Sequence, residues 1–376
     1  MSRITKDQSK QLDSIRGLSA LIVLAGHTHQ AFIRPTFSET SIYVSFLTQF
    51  AVMVFFVLSG FLIGKSICNN ISTNGDFSLA KYAKDRALRL YPPLIAAIVL
   101  MLILAMLAPY FFTSGTANYL SIPGFSFIRE TFTANAKHIY GTLVFFNGFK
   151  TTTPAINGPL WSLSIEAWYY VIAAAIFLWP TKKIAATFLT LITIAITYKN
   201  PLFFILMPIW LAGLGLAFIH RERPKMNNSV FFCLFIILTI GTIFSIWLVL
   251  TTEANDSSPL GDRMNHFRLI SGLWFASFLA LLLGNALRFP TIFQRTAAFS
   301  YTLYITHFPI ILFVVGMTQK IFIQSFSNAL ALSLTTMVIA IVASIFLSKT
   351  VENKKLVEDF ISTHLKKAKY LNNKVP

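Results

Sequence analysis

About ten stretches of this chain are too apolar and too long for the core of a soluble domain. They fall near residues 14–33, 43–65, 92–112, 159–179, 184–198, 202–219, 229–250, 268–287, 299–318 and 327–348. A bilayer's hydrocarbon layer is about 30 Å thick and an α-helix rises about 1.5 Å per residue, so some 20 apolar residues cross it. No water reaches that layer to satisfy backbone groups, and windows of this length can meet the demand only as helices. The expected fold is therefore all-α, a polytopic membrane protein of about ten transmembrane helices. Composition agrees: 12% of the residues are charged, against about a quarter in soluble domains. The 37 phenylalanines suit a surface that faces lipid. The fifth and sixth windows, split by "YKNP", are the shortest.

The net charge of +17 in a soluble chain would point to nucleic acid. Here it has a plainer origin, and no nucleic-acid partner is expected. An even number of spans puts both termini on one side. With that side cytoplasmic, Arg3, Lys6, Lys10 and Arg16, the group from Lys65 to Arg89, Lys182 and Lys183, Arg221 to Lys225, Arg288, Arg295 and the C-terminal lysines all stay inside. That is about three quarters of the 31 lysines and arginines, as the positive-inside rule requires. Both ends are expected in the cytoplasm. The first window follows basic residues as a signal peptide would, but it lacks a small-residue cleavage site and reads as a retained helix. Residues 1–350 are expected to form one transmembrane unit and 351–376 a charged cytoplasmic tail, with no soluble domain expected at either end. The extracytoplasmic connection at 113–157, with "IPGFSF" and "GFKTTTPAINGP", is either a structured lid or re-entrant cap, or a disordered loop. Cys68 and Cys233 are isolated and indicate neither a disulfide nor a metal site.

Ionisable groups inside the windows are expensive and therefore informative. In "LDSIRGLSALIVLAGHTHQAFI", Arg16 and His27 are eleven residues apart, three turns plus about 20°, which puts them on one helix face about 16 Å apart along the axis. Arg16 is either a snorkelling anchor or part of an anion site, with Asp13 one turn away. His27 is either a helix–helix hydrogen bond or a proton-transfer group, and His29, pointing away, is a packing residue. In "LAKYAKDRALRLYPP", Arg86 and Arg89 share a face. They either anchor the helix, with Asp85 pairing Arg89, or grip phosphate bidentately. Pro92 and Pro93 mark the turn into the membrane. In "NGPLWSLSIEAWYY", Pro159 starts a helix, Glu166 lies about 10 Å down it, and Ser162, Glu166, Tyr169 and Tyr170 can share a face. Glu166 is either functional or a partner for a buried cation. In "SYTLYITHFPII", Ser300, Tyr304 and His307 form one stripe. Small residues in "FFVLSGFLIGKS" and "AGLGLAF" read as close helix packing.

Taken in order, Arg16 and His27, "FFVLSGFLI", "RALRLYP", "GPLWSLSIEAWYY" and "SYTLYITHFP" resemble the membrane-bound acyltransferase-3 family over nearly the whole chain. The resemblance implies transfer of an acyl group, acetyl or another, from cytoplasmic acyl-CoA to a hydroxyl of a cell-surface polysaccharide such as lipopolysaccharide, or to a related acceptor. It implies catalytic roles for His27 and Glu166, acyl-CoA binding by Arg16, Arg86 and Arg89, and supporting roles for Trp161, Ser164, Tyr304 and His307. It also implies a multi-pass protein of the bacterial inner membrane. Acyl-CoA enters as co-substrate; because a thioester is already activated, the chemistry calls for no metal and no tightly bound cofactor. Glu166 would orient His27, stabilise the imidazolium or bind the sugar. Two other readings use the same residues. A proton-coupled transporter or flippase would need buried titratable groups, although no inverted repeat or pair of interrupted helices is evident. A scaffold subunit would need none of them. No motif speaks to oligomeric state.

Overall fold

The computed structural model describes residues 4–35, 41–121, 131–222, 227–252, 264–360 and 362–363. Among these the chain is helical nearly throughout, with two isolated bridges and no strand. The helices are α1 (Lys6–Thr28), α2 (Ser41–Asn74), α3 (Leu79–Phe111), a short α4 (Ala136–Leu143), α5 (Leu160–Leu178), α6 (Lys183–Thr197), α7 (Pro201–Glu222), α8 (Asn228–Thr252), α9 (Asn265–Leu283), α10 (Ser300–Phe322) and α11 (Phe326–Val351). Every expected window lies on one of them, and α4 is the addition. Eight are long and apolar enough to cross a membrane unaided. The first half of α1 is polar and α6 has only 15 residues; they pack against α2 and α5 respectively.

Side-chain bonds show which helix ends meet. Gln8 Nε2 donates to the Leu283 carbonyl at 2.9 Å, Asn70 Nδ2 to the Ser78 carbonyl at 3.0 Å, and the Thr302 N–H to Glu352 Oε1 at 3.0 Å. Arg16 of α1 also reaches the Ala297 carbonyl just before α10, and Arg89 of α3 reaches Glu352 just after α11, so the start of α1, the α2–α3 turn, the end of α9, the start of α10 and the end of α11 share one end of the bundle. α2 and α3, with 34 and 33 residues, are each about 50 Å long and outreach a bilayer core. Pro92 and Pro93 do not turn the chain into the membrane, as the sequence pattern predicts. They lie inside a continuous α3. Proline removes an N–H, so the carbonyls of Leu88 and Arg89 lose their helical donors, and the neighbouring Leu90 carbonyl takes a hydroxyl bond from Tyr301 at 3.3 Å.

The connection between α3 and α5 returns into the bundle. Tyr91 donates to the Leu143 carbonyl at 3.1 Å, Trp168 Nε1 to the Phe145 carbonyl at 2.9 Å, and Asn157 Nδ2 to the Ile305 carbonyl at 2.8 Å. α5 thus begins beside the body of α10. Phe145 holds a left-handed φ of 56°, a conformation that costs a bulky residue about 1–3 kcal/mol. The Trp168 bond and the Tyr91 ring, 5.6 Å away, fix it there. The segment "IPGFSF" lies outside the described residues.

α2 is the hub, and α7 lies closest to it. A Cβ on Gly60 would strike the Trp210 carbonyl, and one on Gly213 would strike the Val57 carbonyl. The small residues of both motifs let the two backbones touch. α8 and α11 are peripheral: Ile237, Ile240 and Ile243 stay exposed on α8, where lipid covers them. Gly213→Leu should therefore push α2 from α7 and lower the temperature at which the detergent-solubilised protein loses its monodisperse size-exclusion peak, since overpacking costs about 1–3 kcal/mol. Gly215→Ala, which meets open space, should leave that temperature unchanged.

Candidate active site

A narrow cavity of about 130 Å³ opens among α1, α2, α3, α5 and α10. α2 supplies one wall from Val52 to Ile63, eleven residues or about 16 Å of helix. Arg16, Arg86 and Arg89 line the cavity, as do Ser162, Glu166 and Tyr170 from α5 and Ser300, Tyr301 and Tyr304 from α10. Three guanidiniums from two distant helices thus share one space with a carboxylate and three phenols.

Each arginine is held differently. Arg16 Nη2 donates to Asp13 Oδ1 at 3.1 Å and to the Ala297 carbonyl at 3.2 Å, in the 3₁₀ turn Gln294–Ala298. Gly17 lets α1 approach that turn, because a Cβ there would strike the Phe293 carbonyl. Arg86 Nη2 donates to Ser66 at 3.1 Å and lies over the rings of Tyr82 and Tyr170 at 5.8 and 5.9 Å. Arg89 Nη1 donates to Glu352 Oε2 at 3.0 Å and lies 5.2 Å from the Tyr301 ring. The expected Asp85–Arg89 pair does not form: Asp85 takes Lys354 at 2.9 Å, and Glu352, nearly buried, takes Arg89. The helical spacing permitted the local pair, but the chain end brings a carboxylate already fixed by the Thr302 N–H and hydroxyl. The Nε–H groups of Arg16 and Arg86 are buried without an acceptor. Buried donors are normally satisfied, so two of the three guanidiniums present unused donors in a cavity suited to an anion.

Glu166 Oε1 accepts the Tyr170 hydroxyl at 2.5 Å, and that hydroxyl lies 3.5 Å from Ser59 Oγ. Ser59 in turn accepts Trp210 Nε1 at 3.2 Å. The carboxylate thus belongs to the arginine half of the cavity and is anchored by hydroxyls, not by His27. Tyr169 leaves the face that the sequence offered it: its hydroxyl donates to the Phe203 carbonyl and its ring packs on Trp210.

At the opposite end, the Tyr304 hydroxyl meets Ser162 Oγ at 2.5 Å. The Tyr304 ring is 6.1 Å from His307, and His307 stacks on His27 with centroids 5.3 Å apart and planes at 24°. Phe308 closes the group edge-on to His27 at 5.2 Å. His27 is therefore not alone, and the cavity wall ends at Tyr304 before reaching it. A carbonyl only accepts, so His307 Nδ1, 2.9 Å from the Leu303 oxygen, carries the proton, and its buried Nε2 is left as an acceptor without a partner. His27 Nδ1 faces Gln30 Oε1 at 3.0 Å. A π-helical turn, His29–Ile33, begins two residues later, an irregularity that often accompanies functional sites. Trp161 packs half-buried against the core, and Ser164 is buried away from the cavity, where Ser162 stands instead. Glu352, Tyr301 and Ser66 carried no signal in the sequence, because only the tertiary fold brings them to the arginines.

A family model described as an acyltransferase domain matches residues 9–348. The chain is 28% identical over 181 residues, 47% of its length, to a peptidoglycan O-acetyltransferase, OatA, of Listeria monocytogenes, and covers 26% of that protein. It is 36% identical over 105 residues to protein 2 of the picA locus of Rhizobium radiobacter, 27% of this chain and 48% of that one. An uncharacterized protein of Haemophilus influenzae is 27% identical over 246 residues, 64% of this chain and 90% of that one. The chain thus spans about a quarter and about half of the first two relatives. No solved structure matches it.

Glu352→Ala should cost about 1–3 kcal/mol, because Arg89 and two Thr302 donors lose one acceptor together. Glu352→Gln, which can still accept from Thr302, should lie between Ala and wild type in melting temperature.

Proposed function

Since this chain belongs to that acyltransferase family, we propose that it transfers an acyl group, acetyl in the simplest case, from acyl-CoA in the cytoplasm to a hydroxyl of a cell-envelope glycan at the bacterial inner membrane. The observation that carries the reading is the polarity of one cavity: three guanidiniums at the end shared by the start of α1 and the end of α11, and hydroxyls backed by two imidazoles at the other.

The donor's pyrophosphate lies against Arg16, Arg86 and Arg89, with the Nε–H groups of Arg16 and Arg86 taking phosphate oxygens. The thioester arm follows the α2 wall, whose length matches the separation of Arg16 and His27 along α1. The Tyr304–Ser162 pair ends that path, and its opening exposes the thioester to the imidazoles. His27 accepts the proton of the acceptor hydroxyl as the new C–O bond forms. The C–S bond breaks, and the proton passes to the departing thiolate, so ester and free thiol are the products. His307, stacked beneath, positions His27 and keeps its ring from turning. Glu166 holds Tyr170, which with Tyr82 supports Arg86. Glu166 therefore acts through the donor site, and its loss should raise KM for acyl-CoA more than it lowers kcat.

Labelled acetyl-CoA supplied to membranes tests the transfer. His27→Ala should reduce label on envelope glycan by about 10²–10⁴-fold, the usual worth of a positioned general base, with unchanged expression and size-exclusion profile. Full transfer by that variant would refute the role. A fluorescent protein fused after residue 376 should fluoresce, and alkaline phosphatase fused there should be inactive, if the arginine end faces the cytoplasm.

A further inference from the structure

A second cavity of about 330 Å³ adjoins the first where α2 and α3 run on past the apolar core. The two meet at Leu62, which lines both, and the Arg86–Ser66 bond joins them, since Arg86 lines the first and Ser66 the second. Phe55, Ser59, Leu62, Ser66, Asn69 and Thr73 recur at alternating intervals of four and three residues, so one face of α2 walls both spaces. That stripe covers about 27 Å of helix. Its chemistry grows more polar past Leu62: Phe55 and Ser59 precede it, and Ser66, Asn69 and Thr73 follow it. The second cavity adds Lys65 from α2 and Lys81 from α3. Its one carboxylate, Asp85, is already paired with Lys354 at 2.9 Å, and Lys65 Nζ is steadied by His220 at 3.3 Å.

We infer that this second cavity holds the nucleoside end of the acyl donor with its ribose phosphate, while the arginines of the first keep the pyrophosphate next to the arm, an assignment that rests on the proposed function. A polyanion with a long, slender, uncharged, amide-bearing tail matches the sequence of surfaces: cationic and hydrogen-bonding in the second cavity, guanidiniums where it meets the first, and aromatic and aliphatic side chains interleaved with hydroxyls beyond. Lys65 and Lys81 take phosphate oxygens, and Asn69, Ser66 and Thr73 offer neutral donors and acceptors for ribose or base. Lys65 and Lys81 are thus specificity residues, distinguishing a nucleotide-bearing thioester from a bare pantetheine thioester.

The test is calorimetric titration of the purified full chain, in nanodiscs of zwitterionic lipid only, with coenzyme A and with pantetheine. Wild type should bind coenzyme A more than tenfold tighter than pantetheine. Lys65→Gln with Lys81→Gln should weaken coenzyme A binding about tenfold or more and leave pantetheine unchanged, on the scale of charge-assisted bonds. Asp85→Asn, which removes the competing negative charge, should tighten coenzyme A about threefold, a gain that misfolding does not produce. Equal coenzyme A affinity in wild type and the double lysine variant would overturn the assignment. Acetyl transfer from acetyl-CoA, measured on the same preparations, separates the two claims. Transfer with lysine-independent binding removes the nucleotide site and leaves the reaction standing, whereas lysine-dependent binding without transfer does the reverse.

Discussion

Three guanidiniums facing one narrow cavity repel one another, and much of the surrounding structure answers that repulsion. Asp13 and a backbone carbonyl hold Arg16, two tyrosine faces and Ser66 hold Arg86, and Glu352 with the Tyr301 face holds Arg89. These partners come from α1, the α2 and α3 helices, α5, the turn before α10, α10 itself and the chain end. Any of these elements that moved would leave a cation without compensation in a low-dielectric setting, where that is costly. The arginines therefore organise the end of the bundle where α1 starts and α11 ends. The carboxylates and π-faces reduce the repulsion without occupying every donor, and the buried Nε–H groups of Arg16 and Arg86 keep capacity for a ligand.

Departures from regular helix gather around the same space. Two prolines interrupt the α3 ladder just beyond Arg89, a π-turn follows His27, Phe145 adopts a left-handed conformation, and α5 starts between helices. Free backbone groups at such places must be satisfied from within the protein. Tyr301, Tyr91, Trp168 and Asn157 do so by donating to carbonyls. One of them, Tyr301, also lines the cavity. The site therefore has little freedom to slacken without exposing a carbonyl.

Much of this was legible beforehand. The spans declared themselves because lipid tolerates no alternative to a long apolar helix. Arg16, Arg86, Arg89, Glu166 and Tyr304 stood out because charge and phenol are conspicuous in such windows, and the structure gathers all five on one cavity. The arginine partners were not legible. Asp85 lies at helical spacing from Arg89, yet Glu352, more than 260 residues away, takes the guanidinium. The pairing of His27 with His307 joins helices at opposite ends of the chain, and local periodicity says nothing about which helices neighbour each other.

The sequence alone determined that this is a many-helix membrane protein, since each apolar window's length against the bilayer is a local property. It also determined which ionisable groups the bilayer must hide. Only the tertiary structure decided that Glu166 is bonded to the tyrosine whose ring faces Arg86, that Tyr304 stands between the cavity and the stacked imidazoles, and that α2 carries one continuous wall past two chambers. Those facts depend on the order in which helices pack. That order is set by small-residue contacts such as Gly60 against Trp210 and Gly213 against Val57, and by long-range pairs such as Arg89 with Glu352.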